Sequence, residues 1–439
     1  MTDTEIVVKE MRVTTGEFGN FVIDLGPMGK GRFGVVHRAV RKSDNKTFSL
    51  KFFGYMDGKP QLAEINSEIM FMMALVGVEG AVQIESIFYD LPEGFLPNKN
   101  PKFLQSYPVI VMEAVGGGDL FMRIKNRVEN KEKISERYLA SMFSSTMSAL
   151  DSFHRRKFIH RDLKTQNLLL VSDAQDSPVK IIDFGSMVQL NTVTDVHTDN
   201  RMVGTKGCFA PESITRFEYS VKSDIWQAGC LLFCMILGRP PFFADRWTDI
   251  KAGEFIKCSN WNHLSEDVKD LITRMLTVDP AKRISMSDIR SHRWLSYASD
   301  ADLGGDYAKR VKSLALRQEL CRLLNRSCEL NSEESPNMSL QSFALFDENG
   351  DGFVTRRAFR NGVSRLLNAG TSDGKFSPRC ARLCPTVHTD VDEMFDVIDT
   401  NGDGKIEYVE FQEFYHVVLS NTNSMREKKR KLDSVDASS

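Results

Sequence analysis

No stretch of this 439-residue chain approaches the run of about 18 apolar residues that a membrane-spanning helix needs, so no helical span is expected. Charge of one sign is also missing. The 57 Lys and Arg residues nearly balance the 59 Asp and Glu residues, leaving a net charge of -2 and no reason to expect nucleic acid as a general partner. The opening Met1-Thr2-Asp3 has no secretory apolar region, and Thr2 stands where N-myristoylation needs glycine, so neither a secretory leader nor a myristoyl anchor is expected. The eight cysteines are scattered; only Cys230/Cys234 and Cys380/Cys384 lie close together, neither at a zinc-ligand spacing with histidines. They read as reduced thiols of a cytosolic or nuclear protein. What the chain does have is an ordinary globular balance, 41% hydrophobic and 26% charged, over a length that suits two or three domains.

The most informative stretch is His160-Arg-Asp-Leu-Lys-Thr-Gln-Asn167. Its residue types suit phosphoryl transfer, in which a protein positions a hydroxyl, clamps a nucleotide and neutralises charge with metal ions. Asp162 is placed to accept the hydroxyl proton, Lys164 to stabilise the moving phosphoryl group and Asn167 to offer an amide oxygen to Mg²⁺. Beyond it, after the strand-like run Val179 to Ile182, Asp183-Phe184-Gly185 supplies a second oxygen ligand. Alone, Asp-Phe-Gly reads as a turn closing a strand; here it stands in order with other motifs. Residues 21 to 53 read as strand, glycine loop, strand, strand, with Gly29, Gly31 and Gly34 removing side chains so that backbone N–H groups can approach phosphates. Dinucleotide-binding loops of the same spacing lead into a helix, whereas β-branched residues follow here.

These motifs resemble the catalytic loop, metal-binding motif and glycine loop of protein kinases, and the resemblance covers residues 20 to 295. It implies that Lys51 pairs with the α- and β-phosphates of ATP, that Glu68 holds Lys51, with Glu64 as the competing candidate, and that Val36 covers the base. It further implies that Met112 lines the back of the nucleotide pocket, that the backbone from Glu113 to Val115 reads adenine, and that Asp119 lies near the ribose and the substrate's basic residue. Thr205 would contact Asp162 and Lys164, Glu212 would pair with Arg283, and the helix opening at Ser223-Asp224 would anchor the catalytic loop. Lys164 together with Thr205 is similar to the serine/threonine class. Two departures stand out. Arg201 occupies the usual activating phosphothreonine position, leaving Thr192, Thr194 and Thr198 as alternatives, and Gln166 replaces the glutamate of many kinases that prefer basic substrates. Only Asp119 then supports a preference for arginine upstream of the target. The stretch from Pro92 to Pro108, rich in Pro, Asn and Lys, reads as a surface loop longer than such a lobe needs.

The remaining third of the chain reads as regulatory. Residues 296 to 336 form a polar connector enclosing a helix from Tyr307 to Arg326, in which Leu316, Leu320, Leu323 and Leu324 form an apolar stripe and Lys309, Arg310, Lys312, Arg317, Arg322 and Arg326 supply positive charge. Such a helix can meet a calmodulin-like groove, a membrane surface or the kinase itself, or pack on its own domain. Asp399, Asn401, Asp403, Glu407 and Glu410 place side-chain oxygens at positions 1, 3, 5, 9 and 12 of an EF-hand loop, and the Lys405 carbonyl supplies position 7, so Ca²⁺ binding is expected. A first loop repeats half of the pattern with Asp347, Asn349, Asp351 and Phe353, but ends in Ala358 and loses the bidentate glutamate. It is expected to bind calcium weakly or to serve as partner, with Val354 opposite Ile406. The stretch Ala369 to Pro385 reads as an insertion, and Arg426 to Lys431 as a nuclear-import signal or a solvated charge run.

A kinase followed by a junction helix and EF-hands resembles the calcium-dependent protein kinases, in which calcium displaces a junction segment from the catalytic domain; those carry four EF-hands, not two. The expected fold is α+β, a two-lobed protein kinase followed by a mostly helical EF-hand pair. Its expected divisions are 1–17, 18–295 (lobes meeting near 113), 296–336, 337–420 and 421–439. The expected function is serine/threonine phosphorylation of protein substrates with ATP, Mg²⁺ and Ca²⁺. The alternatives are a calcium-independent kinase with a structural EF-hand lobe, or a calcium-responsive scaffold with little catalysis.

Overall fold

A computed structural model describes residues 20–31, 34–53, 62–88, 108–174, 176–205, 207–242, 247–255, 259–312, 314–315, 343–347, 349–368, 391–392, 394–395, 398–399 and 403–412. The first 19 residues, the loop up to Ser106 and Tyr107, the stripe from Leu316 to Leu324, the stretch 369–385, Asn401 and the run from Arg426 to Lys431 lie outside the described residues.

The amino-terminal lobe is an antiparallel sheet of β1 (Phe21–Gly31), β2 (Gly34–Arg41), β3 (Thr47–Phe53), β4 (Ile84–Phe88) and β5 (Val109–Glu113), in the order β1-β2-β3-β5-β4. The glycines do not form the open loop expected from sequence. Gly29 pairs with Val36 and Gly31 with Gly34, so they belong to a hairpin whose strands extend almost to its tip. Gly34 has a steric reason of its own: a Cβ there would lie 2.0 Å from the Phe52 carbonyl oxygen on β3. In β3 the fully buried Leu50 and the buried Phe52 and Phe53 flank a half-buried Lys51. Helix α1 (Leu62–Ala74) turns Ile65, Ile69 and Met72 into the core, while Met70 is exposed.

The carboxy-terminal lobe continues with α2 (Leu120–Glu129), α3 (Glu136–His154), β6 (Phe158–Ile159), β7 (Leu168–Leu170), β8 (Val179–Ile181), β9 (Val188–Gln189), β10 (His197–Thr198), α4 (Pro211–Arg216), β11 (Glu218–Tyr219) and α5 (Val221–Leu237). Then come α6 (Trp247–Ala252), α7 (Glu266–Met275), α8 (Met286–Arg290) and α9 (Arg293–Tyr297). Helix α3 starts where the Ser135 side chain accepts from the Tyr138 N–H, satisfying one of the unpaired donors at a helix start. Helix α5 opens with a reciprocal Ser220/Ser223 capping box and ends at Gly238, whose φ of +65° suits a residue without Cβ. Between these caps α5 is apolar nearly all round and buried nearly all round, as expected for a helix running through the middle of a lobe. Residues 304–312 are helical, and Tyr307, Val311 and Leu314 pack into the lobe core, with the Tyr307 hydroxyl donating to the Met235 carbonyl at 2.7 Å. The face that docks therefore begins nine residues before the Leu316 stripe expected from sequence.

In the calcium-loop region, β12 (Phe353–Thr355) and β13 (Lys405–Glu407) pair antiparallel with Val354 opposite Ile406, as expected. Helix α10 (Arg356–Asn368) follows β12. Phe343, Phe346, Phe359, Phe395 and Phe411 build a small aromatic core beneath the pair. Edge-to-face and offset contacts at 5.0–5.9 Å between these rings give it specific geometry beyond area burial.

Candidate active site

The catalytic loop leaves β6 and is fastened from below by α5. The fully buried Asp224 accepts the backbone N–H groups of His160 at 2.8 Å and Arg161 at 2.9 Å, and lies 2.9 Å from His154 Nε2. Burial pushes its carboxyl up, but the hydrogen bond and charge of His154 and the two N–H donors outweigh that and hold it below the ordinary carboxylate range. One turn on, Gln227 accepts from the Leu163 N–H at 2.9 Å and donates to the Arg161 carbonyl at 2.7 Å. These clamps keep Arg161 in the left-handed region, φ +66°, uncommon for a residue with a Cβ.

Above the clamps, Asp162 accepts from Lys164 Nζ at 2.8 Å and from the Thr205 hydroxyl at 2.5 Å, and Lys164 Nζ lies 3.4 Å from that hydroxyl. The triangle expected between these residues is therefore present. Burial opposes ionisation of Asp162, yet the Lys164 ammonium and the two donors win and keep it below the usual range. The Asn167 side-chain N–H donates to the Asp162 carbonyl at 2.9 Å, which commits the amide nitrogen and leaves the oxygen as its ligating atom. Asp183 sits at φ +68°, close enough to Lys51 and Lys164 for its charge to act on both. Lys51 pairs with Glu68 across the interior. Burial alone would lower the Lys51 pKa, but the carboxylates of Glu68 and Asp183 raise it, so the ammonium is retained. Glu64, the competing candidate, faces Arg201 instead, at 4.0 Å.

The remaining expected positions gather around this cleft. Val36 on β2 lies opposite Lys51, and Met112 and Glu113 end β5. Val115 is buried. The Glu113 carboxylate pairs with Lys180 on β8 and accepts from the Gln83 N–H at 2.7 Å, tying the connection between lobes to the strand before Asp183. Asp119 caps α2 by accepting from the Met122 N–H at 2.8 Å. Glu212 and Arg283 form a bidentate, fully buried pair at 2.7 and 2.9 Å, fixing the end of the activation segment to the lobe.

In the second calcium loop, the Asp399 carboxylate accepts from the N–H groups of Asp403 at 3.2 Å and Gly404 at 2.9 Å, and Asp403 accepts from Lys405 N–H at 2.9 Å. Gly404 takes φ +82°, and Glu410 is buried with its carboxylate turned back onto the Glu407 N–H at 3.0 Å. In the first loop Asp347 accepts from Gly352 N–H at 3.0 Å and Asp351 from Phe353 N–H at 3.0 Å, the same local wrapping. One Asp347 oxygen is buried without a hydrogen-bond partner, an orphan that fits a cation ligand. Its Asn349 amide donates to Asp351 at 2.9 Å. Hard oxygen donors in both loops suit Ca²⁺, and the carboxylate and amide oxygens of Asp183 and Asn167 suit Mg²⁺.

The sequence matches the protein kinase domain over residues 23–295 and the EF-hand domain pair over residues 339–416. The chain belongs to the protein kinase family. Among curated proteins this kinase is similar to calcium-dependent protein kinase 33 of Arabidopsis thaliana, 29% identical over 395 residues that span 88% of the chain and 68% of that protein. It is also similar to calcium-dependent protein kinase 29 of the same plant, 30% identical over 349 residues (77% of the chain, 61% of that protein). A third relative is calcium-dependent protein kinase 3 of Plasmodium berghei, 28% identical over 399 residues (88% and 64%). The kinase thus spans about three-fifths to two-thirds of the length of these three relatives. ATP with Mg²⁺ at the catalytic domain and Ca²⁺ at the EF-hands are its cofactors.

Sequence reasoning missed several residues of the kinase's cleft. Gln227 stands in an apolar helix where an amide has no pattern to mark it. Asp199 is another: Arg161 donates to it at 2.9 Å and to the Ser186 carbonyl at 2.5 Å. Asp199 lies two residues before Arg201, in a polar segment where a carboxylate has no pattern to mark it. Lys180 and its tie to Glu113 also went unnoticed, since an isolated lysine in a strand gives no partner by itself.

Proposed function

We propose that this kinase transfers the γ-phosphoryl group of ATP to serine or threonine hydroxyls of protein substrates, and that Ca²⁺ binding to the EF-hand pair controls the transfer. The Asp162–Lys164–Thr205 triangle carries the reading. An ionised Asp162 orients the acceptor hydroxyl and takes its proton, while Lys164 offsets the charge that develops on the phosphoryl oxygens. Lys51, held by Glu68, clamps the α- and β-phosphates. The hairpin of Gly29, Gly31 and Gly34, with Val36, Met112, Glu113, Val115 and Asp119, forms the nucleotide pocket. Mg²⁺ bound by Asp183 and Asn167 would supply neutralisation of the phosphate charge.

In place of a phosphorylated threonine, Asp199 supplies Arg161 with its anionic partner. The carboxyl is pushed up by burial but held below the ordinary range by Arg161, so it stays charged at neutral pH. The kinase is therefore active without phosphorylation of its activation segment. The relatives are named calcium-dependent, and the described part of the junction helix supports the same dependence here. Tyr307, Val311 and Leu314 line one cavity with Lys164, Thr165 and Gln166, so the segment sits against the catalytic loop. Calcium acts by drawing it off. The experiment is phosphorylation of a generic basic peptide in excess Ca²⁺ and in excess chelator, with Asp162→Asn and Glu410→Gln alongside. Calcium-dependent activity lost in both variants is expected; equal activity in calcium and chelator would overturn the switch, and no phosphorylation under any condition would overturn the kinase reading.

A further inference from the structure

Three cysteines converge on the cavity beside the catalytic loop. Cys208 lies between Thr205 and α4, Cys230 and Cys234 lie one turn apart on α5, and all three line the cavity with Leu163 and Lys164. Residues four apart share a helix face, so both α5 thiols look toward the Cys208 segment. Cys208 and Cys230 border the same cavity and are close enough for their sulfurs to influence one another. Burial first, and the neighbouring sulfur second, push the Cys230 and Cys234 thiols up, so both α5 sulfurs rest protonated. Cys208 is half-exposed and close enough to the Lys164 ammonium to interact with it, which makes it the point of entry for an oxidant.

We propose that Cys208 and Cys230 are a redox site: a peroxide joins them in a reversible disulfide that restrains the activation segment and lowers phosphoryl transfer. In the first step the Cys208 sulfur attacks the peroxide, the O–O bond breaks, a sulfenic acid forms and one water leaves. In the second, the Cys230 sulfur attacks the Cys208 sulfur, the S–S bond forms, the S–O bond breaks, and hydroxide leaves with the attacking thiol's proton as a second water. Two thiols thereby lose two electrons and two protons to one peroxide.

The bond reaches the reaction through a short chain of contacts. The Cys208 N–H donates to the Thr205 carbonyl at 3.2 Å, and the Thr205 hydroxyl donates to Asp162. Bonded sulfurs lie about 2.0 Å apart, well inside thiol contact distance, so closing the bond pulls the 205–208 turn toward α5. Thr205 and Phe209 are both buried on either side of Cys208, so the pull is passed to Thr205 through its carbonyl's hydrogen bond with the Cys208 N–H. The effect on turnover rests on the kinase reading; formation of the bond does not.

The test uses the full chain, reduced and then exposed to hydrogen peroxide. Free thiols are alkylated, and the protein is digested without reductant for mass spectrometry. A linked Cys208–Cys230 peptide that disappears with dithiothreitol is expected, with kcat on a generic peptide reduced roughly 10- to 100-fold, the cost of an ångström-scale misplacement, and restored by reductant. In Cys208→Ser and Cys230→Ala, each compared with its own reduced form, oxidation should leave kcat unchanged, while Cys234→Ala should still form the bond. Free alkylated Cys230 after peroxide, linkage of Cys208 to a different cysteine, or the expected linkage with unaltered kcat would each overturn the proposal. The mapping on unsubstituted protein decides the linkage even if a variant fails to fold. A reduced protein that phosphorylates nothing would count against the kinase reading, and the peptide map would still judge the bond.

Discussion

The catalytic loop and the calcium loops both present oxygen ligands on backbone that enters the left-handed region, yet they are built in opposite ways. The catalytic loop is fastened by residues more than forty positions away: Asp224 and Gln227 grip the backbone of His160, Arg161 and Leu163, and Thr205 closes on Asp162 from the activation segment. The calcium loops wrap around their own first aspartate. Asp399 and Asp347 accept N–H groups four or five residues on, and the two loops meet through the β12–β13 ladder. A site of the first kind depends on a folded core, whereas one of the second kind needs only its local spacing and a cation. Among their side-chain ligand positions the two calcium loops differ at position 9, Glu407 against Thr355, and at position 12, Glu410 against Ala358.

Substitutions can break that contrast. The largest effect is expected from Asp162→Asn, which should lower kcat about 10²- to 10⁴-fold while calcium binding, read by calorimetry, stays unchanged. Next comes Asp224→Ala. It strips three donors of a buried acceptor, so a loss of about 3–5 kcal/mol in urea unfolding of the catalytic domain is expected, together with loss of activity, and calcium affinity should not move. A fall in calcium affinity would show that the two sites are not independent. A smaller effect follows from Glu410→Gln, which should weaken calcium binding on the order of tenfold or more by removing a charged bidentate ligand. The subtlest is Ala358→Glu, which restores position 12 of the first loop and should add a tighter calcium site in a titration. If the titration does not change, the first loop is limited by more than its missing glutamate.

The contrast also has a pH signature. Asp162, Asp199 and Asp224 are all held below the ordinary carboxylate value. A depressed folded pKa contributes stability above the unfolded value, about 3.9, and loses it as pH falls through the folded value. The stability that these three lend the catalytic lobe should thus be constant from neutral pH down to about pH 5 and decline only below about pH 4. Urea midpoints measured across that range test it, and a decline centred near pH 6 would contradict it.

Much of this was legible without coordinates because it is local. The segment from Asp162 to Asn167, Asp183, the second calcium loop and the pairing of Val354 with Ile406 follow from spacing, since phosphate, metal and cation chemistry fix residue type and separation within one segment, while the roles of Lys51 and Glu68 follow from the resemblance to protein kinases. Tertiary structure alone decided the rest. It turned Glu64 toward Arg201 and gave Arg161 the Asp199 carboxylate. It required Gly34 to be glycine because of the Phe52 carbonyl, and it brought Gln227 and three cysteines beneath the catalytic loop. The physical reason is that a ligand loop carries its geometry in a dozen consecutive residues, while a buried amide, thiol or carboxylate takes its meaning from whichever distant group the packed core sets within about 3 Å of it.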